Sequence, residues 1–251
     1  MPHHRLTPLS SPVLTVPHAM LNRHGGVSKK PYDSLNLGLY VGDRNEDVAR
    51  NRRSVKHLLG LTHLVSARQV HGTGIKVVED ISADVEIDNC DALVTSQPGV
   101  GLLIQQADCQ AVLLHDPIRH VVAAIHCGWR GSVANIIART ITSMQLHFGV
   151  EPPNLRGVIS PSLGPCCAEF VNFRSELPPG LHRYQWKRNY FDFWKISRDQ
   201  LQQAGVPDRQ IDITGICTCC SLDFFSYRRA VKEGNGVTGR NGSVIGLPMS
   251  G

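Results

Sequence analysis

Two segments of this chain bring a thiol and an imidazole within reach of each other. Ala107-Asp108-Cys109 leads into the apolar run 111–115, and the run 121–126, ending at His126, returns after Asp116-Pro117-Ile118-Arg119. Asp-Pro initiates turns, because proline fixes φ at the second turn position. With Asp116 and Arg119 flanking that turn, the antiparallel register sets Cys109 opposite His126 on one face, with Cβ atoms roughly 4.5–5.5 Å apart. Such a pair can share a metal ion, or work as nucleophile and base. A slip of one residue would turn one partner to the other face. Val70-His71-Gly72 closes another strand and offers a third ligand, with glycine permitting a close approach of backbone or substrate. Two imidazoles and one thiolate leave the fourth tetrahedral position of zinc open, as catalytic sites do. Gly128-Trp129-Arg130-Gly131 follows His126 and opens a helix, so backbone N–H groups and a guanidinium suit an anion there. Cys127 should face the opposite way, into core.

These residues need elements to carry them. Residues 44–59 have helical apolar spacing, with Asp43 or Asn45 as cap. Segments 64–70 and 75–79 read as strands around the Gly72-Thr73-Gly74 turn, and 100–105, 111–115 and 121–126 as three further strands. Gly131 opens an amphipathic helix with Val133, Ile136, Ile137, Thr140, Ile141 and Met144 along one face. Residues 155–159 are strand-like, and 193–204 form a helix stopped by Gly205. Short strands at 211–216, 224–227 and 243–247 complete a mixed α/β class with at least two hairpins. No repeat or linker divides residues 1–251, so a single catalytic domain is expected.

Composition narrows the field. A 41% hydrophobic and 19% charged chain of 251 residues is neither disordered nor a coiled coil, and no apolar run is long enough to span a membrane. The N-terminal Met1–Pro8 lacks an apolar h-region, so a cytoplasmic protein is expected. Net charge is +5, but the basic residues are dispersed and no nucleic-acid partner is indicated. Arg50, Arg52, Arg53 and Lys56 read as a solvated helix face. Residues 77–116 hold Glu79, Asp80, Asp84, Glu86, Asp88, Asp91, Asp108 and Asp116 with no Lys or Arg, a stretch that could favour a cation. Eight cysteines without a secretory route are expected as thiols. Cys166, Cys167, Cys217, Cys219 and Cys220 are assigned to core packing, because adjacent cysteines in strands point opposite ways; a structural zinc cluster is the lesser reading.

Arg23-His24-Gly25-Gly26-Val27-Ser28, Ser34-Leu35-Asn36-Leu37-Gly38, Gln69-Val70-His71-Gly72, Ala107-Asp108-Cys109, His126-Cys127-Gly128-Trp129-Arg130-Gly131 and Phe225-Ser226-Tyr227-Arg228-Arg229 occur in this order. Together they resemble the YfiH-like proteins, described in turn as polyphenol oxidases (laccases) and as purine nucleoside phosphorylases. The resemblance runs from Leu21 to Arg240. It implies metal ligands at His71, Cys109 and His126, and a layered mixed-sheet α/β sandwich related to the catalytic domain of bacterial cytotoxic necrotizing factor. It also implies phosphorolysis of adenosine, inosine and S-methyl-5′-thioadenosine, together with adenosine deaminase activity. Cys127 stands where a small residue such as alanine is usual, and Ser160 replaces a common glycine before Pro161.

The leading expectation is a zinc enzyme acting on nucleoside and phosphate, as a monomer or weak homodimer. Cys109, His126 and Asp108 are its candidate catalytic residues; Arg23, Arg130 and Arg228 are candidates for holding phosphate. Asn36 is a further substrate-binding candidate, and Asn36 and Asp108 could orient substrate or ligands. Copper-dependent phenol oxidation is a rival, although none of the 12 histidines forms a His-x-His pair, and copper could still occupy a His-Cys-His site. A third reading makes Cys109 a nucleophile activated by His126 in amidase chemistry on cell-wall peptides. Gly234–Gly239 fits G-x-G-x-x-G but has no helix pattern after it, and Asn241-Gly242-Ser243 reads as a turn.

Overall fold

Strands buried on both faces read as continuous apolar runs, and this chain stacks two sheets of them between helices. The computed structural model describes residues 6–249, so Met1–Arg5 of the segment read for a secretory signal lies outside the described residues. The strands are β1 (His18–Met20), β2 (His63–Arg68), β3 (Ile75–Val77), β4 (Val85–Asp88), β5 (Ala92–Thr95), β6 (Val100–Gln106), β7 (Gln110–Asp116), β8 (Val121–Cys127), β9 (Arg156–Ile159), β10 (Gln185–Lys187), β11 (Tyr190–Phe191), β12 (Ile211–Ile213) and β13 (Asn241–Gly246). The helices are α1 (Asn45–Leu58), α2 (Trp129–Val133), α3 (Ile136–Phe148), α4 (Phe173–Glu176), α5 (Phe193–Gln203) and α6 (Tyr227–Glu233). One sheet has the order β1-β13-β6-β2-β4 and the other β12-β9-β7-β8-β5-β3, with β10 and β11 forming a separate ribbon.

Alternation along β7 assigns the layers. Ala111 and Leu113 face the other sheet, where they meet Val65, Leu102, Ile104 and Ile245. Val112 and Leu114 face outward onto Ile137, Ile141 and Met144 of α3 and Leu201 of α5. On the far side, Leu103 and Val244 pack under Leu35 and Leu37 of the preceding loop and Val55 of α1. The result is a helix–sheet–sheet–helix stack, the layered mixed α/β class expected from the sequence.

Several local expectations need correction. The segments around Gly72 are not a hairpin: β2 lies beside β6 and β4, whereas β3 lies beside β5 in the other sheet. His71 therefore sits on a crossover between sheets. Residues 224–227 are not a strand; the Ser226 side chain accepts from Arg229 N–H and starts α6. The helix expected from Gly131 breaks at Asn135, whose φ of 52° suits an asparagine that caps α3 through Ala138 N–H, and Val133 is exposed. The β7–β8 turn holds four residues, 117–120, and Asp116 accepts N–H bonds from Ile118 and Arg119. Ala111, not Cys109, consequently pairs with His126. The shift is two residues rather than one, so Cys109 stays on the His126 face as a diagonal neighbour. Nor is the basic face of α1 merely solvated. Arg52 bonds Glu86 at 2.9 Å with both side chains largely buried, and Lys56 reaches Asp84 at 2.7 Å.

Candidate active site

The site grows from one buried carboxylate. Asp91 stands at the start of β5 and is fully buried. It accepts the backbone N–H groups of His71 at 2.9 Å, Gly72 at 2.8 Å and Val70 at 3.3 Å. It also takes the Nδ1–H of His126 on β8 at 2.8 Å. Burial would raise this carboxyl, but the hydrogen bonds from His126, Gly72 and Val70, with the His126 charge, hold it below the ordinary range. A carboxylate only accepts, so the proton belongs on Nδ1 of His126 and Nε2 is the nitrogen turned to the site. The same carboxylate fixes His71, whose φ of 59° is left-handed and costs roughly 1–2 kcal/mol that these bonds offset.

Cys109 enters from the other side. Asp108 has a φ of 92°, and this twist is pinned three ways. Its carboxylate accepts from Thr218 Oγ1 at 2.7 Å and Arg228 N–H at 2.6 Å, and its carbonyl accepts from Leu163 N–H at 2.8 Å. The turn carries the half-buried Cys109 thiol to 3.8 Å from His71 Nε2. The ligand atoms of His71, Cys109 and His126 all lie within 4.8 Å of one another, and the two rings meet edge to face. Gly128 leaves the space: a Cβ there would stand 3.1 Å from His71 Cδ2, 3.3 Å from Cys109 Sγ and 3.5 Å from His126 Cε1. Burial opposes ionisation of Cys109, yet the charge and hydrogen bond of His126 and the hydrogen bond of His71 lower its pKa to about 6. Against the same burial, Cys109 and Asp91 raise His126 to about 9. One soft sulfur and two nitrogens converging in this way fit zinc or copper, and the Asp91 bond supplies the outer partner that metal-bound histidines require.

These groups open into a cavity of about 560 Å³, within the range of small-molecule sites. Tyr40, Trp129, Phe170, Phe193 and Tyr227 give it aromatic walls, and Arg68, Arg228 and Arg240 give it positive charge. Of the arginines expected to hold phosphate, only Arg228 lines it, and that guanidinium also donates to the carbonyls of Cys167 and Glu169. Arg23 bonds Asp33, lies 4.8 Å over the Phe225 ring and opens into a separate depression. Arg130 is exposed and stacks on Trp129 at 4.2 Å. Asn36 is buried, and its side chain bonds Gly38, Asp43 and the N–H of Arg240. Cys127 packs beneath α3, as alternation requires, and burial pushes its thiol up to about 11. Asp91, Arg240 and the aromatic walls are additions that the motifs did not single out. Asp91 had a signal, since it lies in the lysine-free acidic stretch; its neighbours Asp84, Glu86 and Asp88 instead pair with Lys56, Arg52 and Arg68.

A four-layer α/β/β/α stack with a His/Cys/His cluster at the floor of an aromatic cavity defines the class. A family model described as multi-copper polyphenol oxidoreductase laccase matches residues 17–248. A purine nucleoside phosphorylase of Deinococcus radiodurans is 37% identical, covering 96% of this chain and 92% of its own. One from Corynebacterium glutamicum is 34% identical over 97% and 98%. The crystal structure of YlmD from Geobacillus stearothermophilus superposes with a TM-score of 0.84 at 30% identity, covering 99% and 98%. That of the Bacillus licheniformis hypothetical protein YfiH gives 0.81 at 32% identity, covering 92% of each chain. The chain belongs to this laccase-described family, the YfiH-like proteins that its motifs resemble.

Proposed function

We propose that this protein is a metal-dependent purine nucleoside enzyme that cleaves adenosine, inosine and S-methyl-5′-thioadenosine with phosphate, and that also deaminates adenosine. The single observation that carries the reading is the meeting of His71, Cys109 and His126 at the floor of an aromatic, arginine-bearing cavity. The relatives named purine nucleoside phosphorylase support the substrate class. His71, Cys109 and His126 would hold zinc, which when bound lowers the pKa of water towards ~7 and so supplies a nucleophile. The aromatic walls provide faces on which a purine can stack. Arg240 supplies positive charge for phosphate; its Nη1 donates to the Thr238 and Gly239 carbonyls, which fixes the guanidinium at the cavity wall. Arg228 is the second anion-holding group, and Asn36 positions Arg240 from below through the bond to its N–H. Asp108 is a positioning residue, since both carboxylate oxygens are spent on holding the turn that aims Cys109. No helix of the described residues is long and apolar enough to cross a membrane. We place the enzyme in the cytoplasm, where its thiols remain reduced, as a monomer or weak homodimer with small-molecule partners only.

The test is release of hypoxanthine from inosine with and without phosphate, by wild type and by Cys109→Ala. Phosphate-dependent release that the variant loses supports the reading, and equal rates in both reject it. Copper-dependent oxidation of a phenol by the same preparation, without nucleoside cleavage, would favour the rival chemistry in the family's description.

A further inference from the structure

The cysteines expected in the core lie at the surface, and four of them meet. Cys166 and Cys220 are exposed, Cys167 and Cys217 half-buried. The Sγ atoms of Cys166, Cys167, Cys217 and Cys220 all lie within 4.8 Å of one another, with Cys166–Cys220 at 3.6 Å and Cys167–Cys220 at 3.5 Å. Tetrahedral zinc at the usual Zn–S length of ~2.3 Å sets its sulfurs about 3.8 Å apart. The four thiols therefore stand near that spacing without rearrangement of the backbone.

The fold explains how residues so distant in sequence arrive together. β9 and β12 are parallel neighbours, paired Ile211 to Gly157 through Ile213 to Ile159, so their chains leave the sheet side by side. The pairing continues through Ser162 N–H to the Ile216 carbonyl and Thr218 N–H to the Ser162 carbonyl. Each chain then turns. Cys167 and Ala168 N–H groups both return to the Gly164 carbonyl, which curls the two adjacent cysteines to one side. The expectation that they point opposite ways holds for a strand and fails in this turn. Ser221 N–H returns to the Cys217 carbonyl, which brings Cys217 and Cys220 together in a C-x-x-C spacing. Cys219, between them in sequence, is not part of the group.

The surroundings match a thiolate cluster. Gly164 N–H donates to Cys217 Sγ at 3.3 Å. A Cβ on Gly164 would lie 2.8 Å from the Trp194 ring, 3.0 Å from Cys217 Cβ and 3.3 Å from Cys166 Sγ, so glycine lets the loop lie close against the sulfurs. Arg228 donates to the Cys167 carbonyl, and Arg229 to the carbonyls of Thr218, Cys219 and Ser221. Two guanidinium groups thus flank a centre that would carry two negative charges when four thiolates hold one divalent ion.

We propose that Cys166, Cys167, Cys217 and Cys220 bind a second zinc ion in a closed tetrathiolate site, clamping the loop after β9 to the loop after β12. Binding releases the four thiol protons to solvent, and no electron changes hands. The clamp bears on the cavity, because these loops contribute Leu163 and Thr218, which hold the Asp108 turn behind Cys109. All four protein ligands are sulfur and none of the corners is left for substrate, so the ion is structural.

The test counts metal on full-length protein purified under reducing conditions with zinc in the growth medium. Wild type should carry two zinc ions per chain, and Cys220→Ser and Cys109→Ala one each. The Cys109→Ala result separates this site from the one proposed for catalysis, since the second ion should persist whether or not that variant loses activity. Cobalt substituted into Cys109→Ala should show the intense sulfur-to-metal charge transfer of a tetrathiolate. Should Cys220→Ser fail to fold, alkylation of wild type followed by peptide mass analysis decides: Cys166, Cys167, Cys217 and Cys220 should be protected together and exposed together by chelator. One ion per chain that Cys109→Ala abolishes, labelling indifferent to chelator, or a mass showing a disulfide between two of the four would each overturn the proposal.

Discussion

Cys109 and Cys166 belong to clusters of similar size, yet their neighbours drive their protonation in opposite directions. Cys109 faces two imidazoles, one of them backed by the Asp91 carboxylate, and its pKa falls to about 6. Cys166 has burial and the thiols of Cys217 and Cys220 against it, and its pKa rises to about 12. The contrast is electrostatic. An imidazole becomes a cation when it takes the thiol's proton, so proton transfer creates an attractive pair; among the thiols Cys217, held against its burial by the Gly164 and Cys220 N–H groups, is the one lowered, and its charge adds to burial in raising Cys166 and Cys167. A nitrogen-bearing cluster is therefore charged before metal arrives, and as proposed it keeps an open corner. An all-sulfur cluster needs the cation in order to ionise beyond its one lowered thiol, Cys217, and in the proposed site it closes around it.

The harshest way to break this contrast is to remove one sulfur from each. Cys109→Ala should lower phosphate-dependent nucleoside cleavage by about 10³-fold. Protonation gives the next largest effect. In metal-stripped protein, thiolate accumulates above each pKa, so alkylation of Cys109 should change less than about twofold from pH 7 to 9. Alkylation of Cys166 should climb by about 100-fold over the same interval, as expected for a group far below its pKa. Parallel profiles would erase the comparison.

Asp91→Asn sharpens it further. Asparagine keeps one acceptor oxygen and sets an NH₂ group either against the His71 and His126 donors that meet at Oδ1 or against the Gly72 and Val70 donors at Oδ2, so metal affinity at the three-residue site should fall by about 10–100-fold in a competition titration. The all-sulfur site should keep its ion. The smallest effects come from the glycines that make room in each cluster. Gly128→Ala crowds three ligand side chains at 3.1–3.5 Å and should weaken metal binding by roughly fivefold, equivalent to ~1 kcal/mol. Gly164→Ala meets the Trp194 ring at 2.8 Å and should show in thermal unfolding instead, at about 1–3 kcal/mol.

Much of the His71–Cys109–His126 cluster is legible in the sequence because the signals that place it are local. His126 ends an apolar run, Cys109 precedes another, and a turn joins them, so any register of the right parity sets both on one face. The four-residue turn at Pro117–His120, two longer than the sequence suggests, shifts the pairing by two residues and so preserves the face. Asp91 was visible only as one acid among eight, because nothing local marks which carboxylate lies beside a histidine 35 residues later. The four-sulfur cluster is hidden for a different reason. Alternation separates Cys166 from Cys167 only in a strand, and the curl that unites them depends on hydrogen bonds to the Gly164 carbonyl.

The sequence by itself determined the type of the longer elements, the face on which residues of the β7–β8 pair lie, and the donor atoms available to a metal. These follow from periodicity and side-chain chemistry, which act over a few residues. Tertiary structure decided which segments became neighbours: β2 and β3 in different sheets, β9 beside β12, and Asp91 under both histidines. Such pairings depend on how whole layers bury their apolar faces against one another, and that free energy belongs to the assembled stack rather than to any segment of it.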